Sequence, residues 1–144
     1  MTVGEVKDIF KQTRKAQIEI KHLVRLIERE ELTLLPKAIR YDRDKVQTSP
    51  EDILARSAAE IADMREEMTK SWYLLKQKMG YAESLITKLD DTDEREVLRY
   101  YYLDCNGNGY PMTWAEVAEA MGFNERTIYR IHGSALVHLS EKLS

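Results

Sequence analysis

The sequence predicts an all-α protein. A long antiparallel helical hairpin, similar to a coiled-coil arm and suited to oligomerisation, is expected over residues 1–90, and a domain of three short helices over residues 91–144. Three observations support this fold. Strand-type alternation is nowhere sustained, a seven-residue apolar repeat runs through residues 51–89, and helix-capping residues divide the C-terminal third of the chain.

The composition is that of a folded protein. Hydrophobic residues make up 43% of the 144 residues and charged residues 33%, which leaves enough apolar side chains for a core. The net charge of −3 is not the basic excess typical of proteins that coat nucleic acid. A single cysteine (Cys105), no apolar run of about 20 residues and no signal peptide at the start predict a cytoplasmic protein without a membrane partner.

The first helix is predicted from about Val3 to Leu35. Pro36 is expected to end it, because proline lacks a backbone N–H and restricts the residue before it. One face carries side chains at helical spacing that predict a buried stripe. The stripe consists of Val6, Ile9, Phe10, Thr13, Ala16, Ile20, Leu23, Val24 and Ile27.

A polar connection is expected over residues 36–50. Ser49 is the predicted N-cap of the second helix, with Pro50 at its first position. The second helix then spans residues 51–89, a rod of roughly 58 Å at about 1.5 Å per residue, and passes through Gly80 without losing phase. Its seam has two rows, and within each row the residues are seven positions apart. The first row is Leu54, Ile61, Met68, Leu75, Ala82 and Leu89, and the second is Ala58, Arg65, Trp72, Met79 and Ile86.

Arg65 interrupts this aliphatic seam, and two interpretations stay open. Its side chain either extends to the edge of the seam and pairs there, or it fixes the register and the choice of partner. The paired helix covers only part of the seam, so the exposed remainder predicts a homo-oligomer, with a dimer favoured.

The C-terminal third divides into three helices. Asp93 with Glu96, and Thr113 with Glu116, have the spacing of capping boxes that begin a helix. Residues 104–112, "DCNGNGYPM", form a loop by composition. Gly122 is expected to end the middle helix, and Asn124 to cap the last, which runs to about Leu139.

The last two helices fit a helix-turn-helix. Ala118 is the small residue where the helices cross, Gly122 supplies the turn, and Ile128 and Ile131 face inward with Val117 and Met121 behind them. A plain helical hairpin within a core is the alternative. The capping residues and the exposed arginines and tyrosine favour the helix-turn-helix.

In this motif the start of the second helix reaches base edges in the major groove. Arg126 and Arg130 are candidates for guanine or phosphate, and Glu125 for a cytosine amino group. Thr127 and Tyr129 are candidates for base or backbone contacts. Thr113 and Trp114 are placed to bind phosphate through backbone amides at a helix N-terminus. The predicted DNA-binding set is Thr113, Trp114, Asn124, Glu125, Arg126, Thr127, Tyr129 and Arg130.

The segment "LITKLDDTDEREVLRYYYL…TWAEVAEAMGFNERTIYRIHGSALVHLSEKL" resembles region 4 of sigma-70-type factors over about 55 residues. The whole chain looks more like small phage and prophage proteins with a long helical hairpin before such a domain. These include the ArpU- and RinA-type late regulators and a related phage family of unknown function, to which "VQTSPEDILA" is also similar. The resemblance implies sequence-specific binding of double-stranded DNA and transcriptional control of phage genes.

The sequence departs from sigma factors in two ways. Sigma factors are rich in arginine at the start of the reading helix, where this chain has Glu125, Arg126, Thr127 and Tyr129. Recognition of a −35-like element is therefore not carried over. No region 2 precedes the domain, so this chain alone is not expected to melt a promoter.

Residues 91–144 carry five basic and nine acidic side chains, a balance that limits non-specific affinity for DNA. Oligomerisation, the basic first helix or RNA polymerase must then help binding. Two rival functions follow: a DNA-packaging protein similar to phage small terminase subunits, and an adaptor that binds RNA polymerase and does not read DNA.

No catalytic or metal site is expected. "DCNGNG" begins a calcium-loop pattern, but Ala115 stands where the pattern requires an acid. The three histidines are scattered, and no nucleophile–base pair stands out. The sequence therefore predicts no enzyme, no metal and no cofactor. "VLRYYYL" suggests base stacking, but helical spacing favours core positions for Leu98, Tyr101 and Tyr102.

Overall fold

The computed structural model describes residues 1–43 and 50–144, with side chains over 1–33 and 51–144. The helices are α1 (Val3–Arg43), α2 (Pro50–Ile86), α3 (Thr92–Leu98), α4 (Trp114–Met121) and α5 (Glu125–Lys142), and a π-helical segment (Arg99–Leu103) continues α3. No strand occurs in these ranges, which confirms the all-α prediction. The only sheet-like pairing within them is an isolated bridge between Cys105 and Pro111.

The described chain forms two compact units. The first contains residues 1–18 and 74–144, and the second contains residues 19–73. Each unit takes one part of α1 and one part of α2. The functional division into an arm (1–90) and a helix-turn-helix domain (91–144) stays a prediction.

The core of the first unit joins the beginning of α1 to the C-terminal helices. Phe10 is fully buried, and its ring centroid lies 5.2 Å from that of Tyr102 in the π-helical segment. Burying an aromatic ring of this kind is worth a few kcal/mol. The buried members of this core are Val6, Phe10, Ala82, Leu85, Ile86, Leu89, Leu98, Tyr102, Ala135, Leu136 and Leu139.

In the second unit Ile27 of α1 and Ile53 and Ile61 of α2 are buried. The predicted stripe on α1 is buried or half-buried along its whole length. Arg65 is exposed and forms an ion pair with Glu31 of α1. This contact agrees with a residue that pairs at the edge of the seam.

One row of the predicted seam on α2 is confirmed and the other is partly wrong. The first row, from Leu54 to Leu89, is buried or half-buried, whereas Ala58, Arg65 and Trp72 in the second are exposed. Ser57 and Met64 face inward instead. Over residues 54–71 the inner face therefore continues three positions after each member of the first row, at Ser57, Met64 and Ser71, and the two serines concealed this apolar pattern. Further along, Met79 and Ile86 are half-buried and buried, as predicted.

Three predicted boundaries are wrong, and the smallest difference is at the end of α2, which lies at Ile86 and not at Leu89. The helix α1 continues through Pro36 to Arg43, since the missing hydrogen bond and ring clash of a proline cost a helix about 3 kcal/mol but do not oblige it to end. The predicted connection over residues 36–50 therefore begins with helix. Ser49 lies outside the described residues, and Pro50 is the first residue of α2 as predicted.

The third wrong boundary is the start of α3, where a capping box of Asp93 and Glu96 was predicted. Asp91 is the N-cap of α3, and its Oδ1 accepts hydrogen bonds from the backbone N–H groups of Asp93 (2.8 Å) and Glu94 (3.2 Å). Glu96 instead accepts from Arg99 (3.0 Å). Asp91 caps α3 in place of Asp93 because its short side chain, just before the helix, reaches two free backbone N–H groups at once.

Arg99 anchors the π-helical segment to α2. Its Nη2 donates to Glu83 Oε1 at 2.6 Å, and this bond, together with the bond to Glu96, raises the pKa of the guanidinium. A π turn admits one extra residue per hydrogen-bonded ring, here closed by Asp104 N–H and Arg99 C=O at 2.9 Å. The extra residue rotates the following tyrosines relative to the α3 register, so the last turn presents both Tyr101 and Tyr102 to neighbouring helices.

Candidate nucleic-acid interface

The turn between α4 and α5 has the predicted geometry. Gly122 ends α4 at φ 74°, in the left-handed region that glycine enters without cost. The Phe123 N–H donates to Ala118 C=O at 3.0 Å, which closes the end of α4. Asn124 caps α5 by accepting from Thr127 N–H at 2.8 Å. These bonds fix the angle at which α5 leaves the turn.

The start of α4 is fixed by a complete capping box. Thr113 Oγ1 accepts from Glu116 N–H, and Glu116 Oε1 accepts from Thr113 N–H, both at 3.2 Å. The bond from the Thr113 backbone is the main reason that the pKa of Glu116 is lowered. The prediction for this pair is confirmed.

The inner faces of α4 and α5 share a small core of their own. Val117 and Ile128 are fully buried, and Ala118 is 5% exposed where the helices cross. Met121 and Ile131 are half-buried against this cluster, which also contains Val97 and Met112. All the side chains predicted to face inward therefore do so.

The outer face of α5 presents most of the predicted DNA-binding side chains together. Glu125, Arg126, Tyr129 and Arg130 are exposed, and Thr127 is half-buried. Within the described residues, no carboxylate forms an ion pair with Arg126 or Arg130. Thr113 and Asn124 are exposed but engaged as caps. The two guanidinium groups are thus available to an external acceptor.

Arg130 and Arg126 differ in their surroundings. Arg130 lines a groove with the carboxylates of Asp91, Asp93 and Glu94 at the start of α3, whereas Arg126 does not line it. Neighbouring negative charge weakens the attraction of a cation for phosphate. The two arginines, which the sequence predicts in the same role, therefore have different electrostatic surroundings.

Trp114 lies in an aromatic cluster at the first residue of α4. Its ring stacks on Tyr101, with centroids 3.6 Å apart and planes 8° from parallel. The guanidinium carbon of Arg14 lies 3.9 Å from the centroid of the Tyr101 ring, and Arg14 Nη1 donates to Tyr101 C=O at 2.6 Å. Tyr129 meets the Trp114 ring nearly edge-on at 5.3 Å.

This cluster fixes the N-terminus of α4 against α1 and the π-helical segment, and it also contacts the outer face of α5. The predicted core positions of Tyr101 and Tyr102 are confirmed by burial: Tyr102 is 1% exposed and Tyr101 is half-buried. Arg14 is a positioning residue that the sequence does not predict. The only signal was a basic residue in a helix that was otherwise assigned to the arm.

Beneath the cluster, His132 of α5 pairs with Tyr102. His132 Nε2 and Tyr102 Oη are 2.7 Å apart. Burial, with a smaller contribution from the charge of Lys7, lowers the pKa of His132 to about 4. Burial also raises the pKa of Tyr102. Both side chains are therefore neutral at pH 7, and their bond joins α5 to the π-helical segment without a buried charge.

The loop before α4 is closed by its own hydrogen bonds. Asn106 Oδ1 accepts from the backbone N–H groups of Asn108 (2.9 Å) and Tyr110 (3.1 Å). Gly109 adopts φ 79°. These contacts are those of a turn built on an asparagine side chain.

The arrangement is a capped helix-turn-helix with an exposed second helix. Residues 87–141 match the sequence profile of the family "Sigma-70, region 4". The match takes in α3, the π-helical segment, α4 and nearly all of α5. No curated protein and no solved structure gives a significant match to the chain. Sigma-70 region 4 is a DNA-binding regulatory domain without catalytic function, so the match indicates a DNA-binding regulatory role for this region. No described helix is long and apolar enough to cross a membrane.

Proposed function

We propose that the protein is a sequence-specific DNA-binding transcriptional regulator of phage or prophage type. The observation that carries the proposal is the outer face of α5, where Arg126 and Arg130, which form no ion pair within the described residues, stand beside Glu125 and Tyr129 on a capped helix-turn-helix. The family match over residues 87–141 supports DNA as the partner.

In the proposed complex α5 lies in the major groove. Arg126 donates to guanine or to a phosphate at the start of the helix, and Glu125 accepts from a cytosine amino group. Thr127 and Tyr129 contact base edges or backbone. The α4 helix crosses the DNA backbone, and its first backbone amide, at Trp114, binds a phosphate, while the N–H of Thr113 stays bonded to Glu116 in the capping box.

The phage or prophage assignment rests on architecture. Two long helices, α1 and α2, precede the region 4-like domain, as in the late regulators that the sequence resembles. Such a regulator acts as an oligomer, most simply a dimer, because one domain with five basic and nine acidic side chains has little electrostatic attraction for DNA.

The same acidic balance favours one second candidate, an adaptor that binds RNA polymerase without reading DNA. The carboxylates of Asp91, Asp93 and Glu94 beside Arg130 fit a basic protein surface. Direct contact with RNA polymerase is also compatible with a DNA-reading regulator. A small-terminase-like packaging protein has no such specific observation in its favour.

The test begins with selection of bound fragments from the source genome. Titration of the selected site at fixed salt then compares wild type with Arg126→Ala and Arg130→Ala. Arg56→Ala, an exposed change on α2 with the same loss of charge, is the matched control. Loss of a base contact costs about 1–3 kcal/mol, or roughly 5- to 150-fold in affinity, and the larger loss is expected for Arg126→Ala.

Three outcomes would contradict the proposal. Wild-type affinity in both α5 variants would remove α5 as the reading helix. Capture of RNA polymerase without any selected DNA would favour the adaptor. A ring of many copies that binds a packaging site and leaves transcription unchanged would favour the terminase-like function.

A further inference from the structure

A basic groove lies beside the start of the helix-turn-helix. It has a volume of about 390 Å³ and is lined by α1, the π-helical segment, α4 and α5. The α1 side chains in it include Lys7, Lys11, Arg14 and Lys15, and the aromatic ones include Trp114 and Tyr129. Four cations therefore line a groove that also contains two residues of the candidate interface.

The lysines share one helix face, since positions four apart in a helix lie one above the other. Lys11 and Lys15 are exposed, and no carboxylate within the described part of the chain forms an ion pair with either. Like charges at this spacing repel and cost a few tenths of a kcal/mol. Arg14, between them in sequence, is engaged with Tyr101. An external anion would relieve the repulsion between the lysines.

The position of the groove identifies the anion. In helix-turn-helix complexes the first helix crosses the DNA backbone while the second enters the major groove. Trp114 is the first residue of α4, and Tyr129 lies on the outer face of α5. With α5 in the major groove, a groove bordered by both residues would lie next to the sugar–phosphate backbone at the edge of the bound site.

We propose that Lys11 and Lys15 of α1 bind the phosphate backbone of DNA beside the base pairs that α5 reads. This inference rests on the proposed function, because it needs DNA bound at α5. It also explains how a domain with more acidic than basic side chains can attract DNA. Residues 1–18 carry four basic and two acidic side chains, and their place in the same compact unit brings positive charge to a domain that is itself acidic.

The test is the salt dependence of binding to the selected DNA site. The full-length variant Lys11→Gln/Lys15→Gln is compared with Lys78→Gln/Lys88→Gln, which removes one exposed lysine of α2 and one just after it, neither of which lines the groove. Each phosphate contact contributes about 0.9 to the slope of log K against log salt. We expect the groove variant to lower the magnitude of that slope by about 1.8, and the control to leave it nearly unchanged.

In affinity, two such contacts make the advantage of wild type over the groove variant about 12-fold larger at 50 mM than at 200 mM salt. The weakening is expected on every DNA sequence alike, since phosphates carry no base information. Equal slopes for wild type, groove variant and control, while Arg126→Ala still weakens binding, would overturn this inference and leave the proposed function standing. Absence of wild-type DNA binding would overturn both.

Discussion

Protonation of His132 is expected to destabilise the fold in mild acid. The unfolded imidazole binds a proton below its ordinary pKa of 6.5, whereas the buried side chain does so only below about 4. Between these values the unfolded state holds more protons, so the free energy of unfolding falls as the pH falls. A pKa difference of this size corresponds to a total loss of about 3 kcal/mol in the free energy of unfolding, of which about 2 kcal/mol is lost between pH 7 and pH 5.

The perturbation that isolates this effect is His132→Gln. Glutamine does not titrate and keeps a polar atom for the hydroxyl of Tyr102. Urea unfolding of both proteins at pH 7 and pH 5 gives two changes in stability, and wild type should lose about 2 kcal/mol more than the variant. His138 is unchanged in the variant, and its pKa is raised by its bond to Glu94, so its contribution cancels in the comparison.

The result that would refute this reasoning is the same loss of stability in both proteins. A direct check is the titration of the imidazole ring protons by NMR. A His132 midpoint near 6.5 would show that the ring is hydrated and not buried beside Tyr102.

Two further predictions concern the turn and the long helices. Gly122→Ala should lower the free energy of unfolding by about 1 kcal/mol, because the left-handed backbone strains any side chain while its Cβ would meet nothing within 4 Å; unchanged stability by urea titration would contradict this. The side chains of Leu74 and Tyr81 are 56% and 47% exposed and lie seven residues apart on one face of α2, so they should support self-association. Light scattering at tens of micromolar should therefore give a mass above that of the monomer, and the mass should be lower in Leu74→Ser/Tyr81→Ser. A strictly monomeric wild type would rule this out.

Local chemistry made the helix-turn-helix predictable. The requirements at Thr113, Ala118, Gly122 and Asn124 act over a few residues, so each appears directly in the sequence. The buried row from Leu54 in α2 to Leu89 just after it could be predicted from its seven-residue spacing, which is also a local pattern.

The features that the sequence did not reveal depend on contacts between distant positions. Arg14 and Tyr101 are 87 residues apart in the chain, and nothing in either local pattern pairs them. The start of α1 was assigned to the arm, although Val6 and Phe10 share a core with the C-terminal helices. The sequence predicts an end of α1 at Pro36 because proline is unfavourable inside a helix. The helix continues to Arg43 because one unfavourable residue does not outweigh the rest of a long helix.

The central claim is that α5 reads base edges, while the start of α4 and the lysines of α1 bind the phosphate backbone of the DNA. The most direct test is to measure Arg126→Ala and wild type on a set of selected sites that differ by one base pair. The account predicts that the variant loses discrimination at one position, by about 1–3 kcal/mol, and keeps it elsewhere. A variant that binds every sequence more weakly by the same factor, with wild-type preference at each base pair, would contradict the claim.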